Sequence, residues 1–148
     1  MVLRRQGSEI IGFYRFYKQV FKEDALWNHE VRAKIEKVHN MTYKWHKRHV
    51  LIGGKEVDVV AVFETLKGKE RAFGFELKEN DYIDALKQAE ERMPQFDYFY
   101  IILKAPPWWV QPTFFCELAE KGIGLFCGGI MIVKAKHIPR QTLEESLT

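Results

Sequence analysis

Apolar positions along the chain change their period several times, and each change marks an element. Ile10, Phe13, Tyr14, Tyr17, Val20 and Phe21 fall on one broad helical face. The spacing predicts an aromatic-rich N-terminal helix over residues 10–21, packed on the core, with a dimer contact or a membrane-surface face as the other uses of such a stripe. A second stripe of Trp27, Val31, Ile35 and Val38 predicts a helix over 23–38 capped by Asp24. Residues 42–52 read as a strand closed by Gly53-Gly54, because two glycines tolerate the positive φ of a tight hairpin.

Two more strands follow. Residues 57–63 and 71–77 are rich in β-branched and aromatic side chains, and Leu66-Lys67-Gly68-Lys69 supplies the turn between them. Ile83, Leu86, Ala89 and Met93 then predict a helix over 81–96, with Pro94 threatening its end. Residues 97–103 form a strand of few polar atoms, covered on both faces and parallel to its predecessor through a right-handed crossover. Pro106-Pro107-Trp108-Trp109 breaks regular structure; its rings are expected to tuck onto the core, with insertion into nucleic acid or a subunit contact as alternatives. A short helix over 113–121 ends at Gly122, residues 125–134 give a last strand interrupted by Gly128-Gly129, and the tail from His137 is polar and loose. Helix, three strands, helix, strand, helix and strand make an α/β fold with a mixed central sheet flanked by helices. We divide the single domain 1–148 into an N-terminal helical extension (1–22), a core (23–136) and a polar tail (137–148).

Composition narrows the setting. A chain of 148 residues, 47% hydrophobic and 29% charged, buries an ordinary core and is not disordered. The net charge of +3 permits contact with a polyanion. Cys116 and Cys127 have no metal-type spacing and sit in apolar company, which predicts buried free thiols in a reducing compartment. No apolar run reaches the roughly 18 residues of a membrane span, and no signal-peptide core precedes the first helix. A soluble, cytoplasmic protein without a membrane partner is the expectation.

The polar residues inside apolar strands need a reason. Asp58 interrupts an apolar run, and a carboxylate in a buried strand costs several kcal/mol unless it is paired, protonated or metal-bound. Glu76 raises the same question, and Lys78 shares its face because strand side chains alternate. Hairpin pairing would let Asp58 and Glu76 converge near one end with Lys78 beside them. Glu30 lies beside the stripe of the second helix, and Gln88 near the inner edge of the third. Trp45-His46-Lys47-Arg48-His49 combines basic groups with an aromatic ring, as suits a phosphate backbone along an exposed strand. His46 and His49 would face opposite sides and lack an obvious third ligand, so zinc is not expected there.

Val57-Asp58-Val59-Val60, then Phe75-Glu76-Leu77-Lys78, then a helix bearing Gln88 and the strand D-Y-F-Y-I-I-L together resemble the PD-(D/E)xK nuclease superfamily, which includes restriction endonucleases, archaeal Holliday-junction resolvases and repair nucleases. The likeness spans about residues 23–134, and Val57 stands where the name-giving proline would. It implies a restriction-endonuclease-like core, with Asp58 opening the second strand, Glu76 and Lys78 as the E-x-K pair, Glu30 as the acidic residue of the first helix, and Gln88 as an accessory glutamine.

The chemistry can also be stated from the residues. Phosphodiester hydrolysis needs an activated water and stabilised negative charge, both within reach of a divalent cation. Magnesium, or manganese, would take Asp58, Glu76 and the Leu77 carbonyl, with Lys78 orienting or deprotonating the water. Glu30 would bind the ion through water, and Gln88 would hold the water or a phosphate oxygen. The expected function is a metal-dependent endonuclease acting on DNA in repair, recombination or restriction. A homodimer would join through the aromatic helix or the Trp108-Trp109 loop. The competing expectation is an inactive nuclease-like fold that binds nucleic acid or protein.

Overall fold

A computed structural model describes residues 30–79 and 81–140. The aromatic helix expected over 10–21, the first part of the helix expected over 23–38 and the tail beyond Arg140 lie outside the described residues. Helix α1 (Arg32–His39) ends at Asn40, whose left-handed φ of 54° turns the chain straight into β1 (Met41–Ile52). The chain continues through β2 (Lys55–Thr65), β3 (Glu70–Lys78), α2 (Tyr82–Arg92), β4 (Tyr98–Leu103), α3 (Pro112–Lys121), β5 (Gly124–Cys127) and β6 (Ile130–Val133).

The strands make one six-stranded sheet in the order β1-β2-β3-β4-β5-β6. Two hairpins set β1, β2 and β3 antiparallel, whereas α2 and α3 are crossovers that set β3, β4 and β5 parallel. The molecule is therefore an α/β fold with a mixed sheet flanked by helices, as the alternation of periods predicts. No helix among the described residues is long and apolar enough to cross a membrane.

Four expectations need correction. Residues 125–134 form two strands, because Gly128, at φ 63°, turns the chain back and β6 pairs antiparallel with β5. Cys127 is buried, which pushes its thiol up to about 12, but Cys116 is exposed. The reason is helical spacing: α3 buries Phe114 and Leu118, and a residue two places from each projects outward. Trp108 and Trp109 do not tuck onto the core but stand 68% and 49% exposed, since Ala105, Pro106 and Val110 take the inward positions of that loop. The first residues of the tail are not loose either. His137 and Arg140 lie 3.2 and 3.4 Å from the buried Asp97 carboxylate, and the Ile138 amide donates to the Asp97 carbonyl at 3.0 Å.

Each face of the sheet carries its own core layer. Val31, just before α1, and Ile35 of α1 pack on Val59, Phe63, Phe73, Phe75 and Tyr100, while Val57, Val60, Ala72, Phe99 and Ile101 pack under α2 and α3 with Leu86 and Leu118. Tyr100 is fully buried, and its hydroxyl lies 2.6 Å from His39 Nε2 and accepts the Ala135 amide at 3.1 Å. Burial and nearby Lys134 bring the His39 pKa down to about 4, so a neutral ring meets the phenol. The Tyr100 ring also explains Gly124 on the neighbouring strand, where a Cβ would collide with it. Gly124→Ala is expected to destabilise the protein by about 1–3 kcal/mol through overpacking. Urea denaturation checks this, and an unchanged midpoint would mean that the ring has room to move.

Candidate active site

The site begins with a bend in the β1–β2 ribbon. Val57 and Val59 are two residues apart and would share a face in a flat strand, yet they pack in opposite core layers. The bend lies between the Arg48–Val59 and Val50–Val57 pairs, where His49 adopts a left-handed φ of 52° opposite Asp58. There β2 also leaves β3: their register runs only as far as Val59 opposite Phe75. The sheet opens into a fork, with Asp58 on one arm and Glu76, Leu77 and Lys78 on the other.

Asp58 closes the base of this fork by accepting the Leu77 amide on Oδ2 at 2.8 Å. The residues opposite Leu77 and Lys78 on the other side of β3 are Ile102 and Leu103, so only the β2 side is open. Alternation places Ala72, Gly74, Glu76 and Lys78 toward α2. Glu76 is buried at 4% exposure, and its Oε2 accepts no hydrogen bond from the described residues. Arg92 Nε stands 3.7 Å from that oxygen and donates instead to the Glu56 carbonyl at 2.8 Å. Lys78 Nζ is 3.2 Å from Asp84 Oδ2, the same oxygen that accepts Gln88 Nε2 at 3.0 Å.

The structure thus brings Asp58, Glu76 and Lys78 to one place, as their pattern predicts, and sets Gln88 beside them. Gln88 is committed to Asp84, however, rather than turned toward a water or phosphate. Glu30 lies elsewhere: its side chain packs against Gly129, in the turn after β5, two strands along the sheet from β3. The stretch 45–49 also divides. Trp45, Lys47 and His49 form an exposed row, while His46 and Arg48 are half-buried on the alternate row, His46 with Nδ1 2.6 Å from the Tyr43 hydroxyl. His49 does have carboxylate company, contrary to expectation: its Nδ1 is 2.7 Å from Glu56 Oε1, and ligand atoms of His49, Glu56 and Asp58 all lie within 4.8 Å of one another. Asp84, Arg92 and Glu56 escape the sequence reading. The signal for two of them was present, since Asp84, Gln88 and Arg92 repeat every fourth residue and so line one face of α2.

No family model matches the chain, and no curated protein matches its sequence. Among solved structures it is similar to SPO1766, a protein of unknown function from Silicibacter pomeroyi, at 16% identity over 77% of this chain and 76% of that one, with a TM-score of 0.46.

Two acids share the fork, and the surroundings treat them unequally. Burial first, and Asp58 beside it second, push the Glu76 carboxyl up to about 8, against the opposing pull of Arg92 and Lys78. At neutral pH the ion-free chain therefore keeps Glu76 mostly protonated. An incoming divalent ion would displace that proton and meet an oxygen with no hydrogen-bond partner among the described residues, so the paired carboxyls and that Oε2 suit a hard cation. The linkage has a definite sign. The unfolded chain ionises Glu76 near its ordinary 4.5 and the folded chain near 8, so the folded state holds the extra proton between those values. Stability then falls as pH rises through that window, by at most about 1.4 kcal/mol per pH unit from this group. In divalent-free buffer, Glu76→Gln is expected to remove this slope and gain on the unaltered protein between about pH 5 and pH 8. Urea midpoints across that range measure it; parallel curves would show that the carboxyl is solvated.

Proposed function

We propose that the protein is a metal-dependent endonuclease that hydrolyses phosphodiester bonds of DNA, with a restriction-endonuclease-like core of the PD-(D/E)xK kind. The observation that carries this reading is a buried glutamate oxygen without a hydrogen bond among the described residues, set beside an aspartate and a lysine where two strands part. A structural ion pair has no use for an orphaned carboxyl oxygen, whereas a cation site does. Asp58 and Glu76 would hold Mg2+ or Mn2+, with the Leu77 carbonyl next to them in sequence. When bound, the ion would supply Lewis-acid charge and a more acidic water.

The remaining work falls to side chains of the protein. Lys78 would leave Asp84 to neutralise charge gathering on the phosphate, and Asp84 would hold it in readiness until then. Gln88 fixes Asp84, so it acts here as a positioning residue. The exposed row of β1 offers a path for the substrate. Trp45 and Lys47 pair across the ladder with Val62 and Val60, so they project on the α2 side of the sheet, the side of Glu76 and Lys78. Lys47 Nζ lies 5.9 Å from the centre of the Trp45 ring, and both side chains are open to a phosphate backbone. Lys44 is occupied by Glu64 at 2.9 Å and contributes less. A cytoplasmic setting and a homodimer suited to paired cuts belong to the same reading.

One observation favours the alternative of a binding module without turnover: Lys78 and Gln88 are both engaged by Asp84, and Arg92 already offsets Glu76. Labelled duplex, junction, flap and single-stranded DNA, each incubated with Mg2+ or Mn2+, separates the two. Cleavage is expected with at least one substrate, and Asp58→Ala, Glu76→Ala or Lys78→Ala should lower it about 100-fold or more while the far-ultraviolet dichroism is unchanged. Cleavage that survives all three changes would reject the site. Salt-sensitive binding without turnover under any divalent ion would establish the binding module instead.

A further inference from the structure

The carboxylate pair is flanked by a nitrogen donor, His49, at the end of the exposed row of β1. His49 and Glu56 belong to the first hairpin, one on each arm, and both His49 and Asp58 fall between the Arg48–Val59 and Val50–Val57 pairs. The bend at Asp58 gathers potential ligands from both strands of this hairpin: His49 of β1, and Glu56 and Asp58 of β2. A ring nitrogen of His49, a Glu56 oxygen and an Asp58 oxygen lie within 4.8 Å of one another, close enough to converge on a single ion after a small rearrangement. A second observation points the same way. Glu76, buried at 4% exposure and close enough to Asp58 for the two carboxyls to interact, carries an oxygen with no hydrogen-bond partner among the described residues.

We infer that His49, Glu56 and Asp58 form a divalent transition-metal site, with Glu76 available from the opposite arm, and that the imidazole makes it prefer Mn2+ to Mg2+. It shares Asp58 with the proposed nuclease centre and deepens that reading, although metal capture here does not depend on cleavage. The chemistry of the donors sets the preference. Mg2+ takes oxygen ligands and gives up its waters reluctantly, whereas first-row transition ions gain from an imidazole nitrogen. His49 currently spends its Nδ1 on Glu56 at 2.7 Å, and an ion between the two would replace that bond with two stronger ones. Arg92 prepares the arrangement from outside. It holds the Glu56 backbone carbonyl and stands beside Glu76, so it fixes one arm of the hairpin against β3.

The test uses the full chain and Mn2+ itself, followed by electron paramagnetic resonance of the free ion, with Mg2+ as competitor. Mn2+ is expected to bind at least about tenfold more tightly than Mg2+. The spin echo of the bound ion should carry the nitrogen modulation of an imidazole. His49→Gln should abolish that modulation and weaken Mn2+ by about tenfold or more, while Mg2+ affinity moves less than about threefold. Glu56→Gln should weaken both ions and keep the nitrogen signal. Both side chains are more than half exposed, so these variants should keep the unaltered urea midpoint. Nitrogen modulation that persists in His49→Gln, or Mn2+ affinity indifferent to that change, would overturn the inference. Failure here is distinct from failure of the nuclease reading. Mg2+-dependent cleavage with Mn2+ binding insensitive to His49 would sink this inference and leave the nuclease standing, whereas nitrogen-coordinated Mn2+ in a protein that cuts no DNA form would uphold the inference and sink the nuclease.

Discussion

The hydrogen bond from the Leu77 amide to Asp58 Oδ2 is the contact on which the rest of the site depends. Where β2 and β3 stop pairing, the amides of β3 would otherwise face an open edge, and a carboxylate is the side chain that can answer one of them from the neighbouring strand. The bond does two things at once. It caps the end of the ladder, and it fixes one Asp58 oxygen so that the other is left for Glu76, His49 or an ion. The bend at His49 and the fork at Asp58 are therefore parts of one device: the ribbon turns from one core layer to the other, and the carboxylate emerges at the turn.

Much of this device was legible in the residues. Asp58 and Glu76 stood out because each interrupts an apolar strand, and alternation alone placed Lys78 with Glu76. The hairpin signals at Gly53-Gly54 and Gly68 fixed the pairing that brings them together. What escaped was everything that depends on a departure from ideal geometry. A regular strand sends His49 away from Glu56 or leaves it with a plain cross-strand neighbour; the left-handed residue at its own position is a tertiary outcome with no glycine to announce it. Glu30 failed for a related reason, because helical phase gives a direction around the axis but not which end of the sheet the helix covers. Its contact with Gly129 belongs to a hairpin, β5–β6, that reads in sequence as a single strand.

The aromatic residues illustrate the same limit. Phe63, Phe73, Phe75, Tyr98 and Tyr100 form one packed array of rings on the α1 side of the sheet, as strongly patterned strands lead one to expect. Trp108 and Trp109 carry an equally apolar surface but follow two prolines, whose fixed φ leaves the loop too few inward positions for both rings. Size and hydrophobicity favour burial; the backbone decides whether it is on offer.

The charges around the fork are balanced by α2 rather than by solvent. Asp84 takes Lys78, and Arg92 takes a position beside Glu76, while its own strongest bond goes to the Glu56 backbone. Arg92 at 3.7 Å is too far to hydrogen-bond the Glu76 oxygen and near enough to lower the cost of charging it. That intermediate distance matters, because a direct guanidinium–carboxylate bond would fill the oxygen's requirement and leave a sealed ion pair with no capacity for a cation. Here the acid is kept protonated by burial and by Asp58, stays electrostatically supported, and retains an open acceptor. Below its own pKa such a group would yield its proton to positive charge at shorter range than Arg92 supplies, and a divalent ion at the fork would meet that condition.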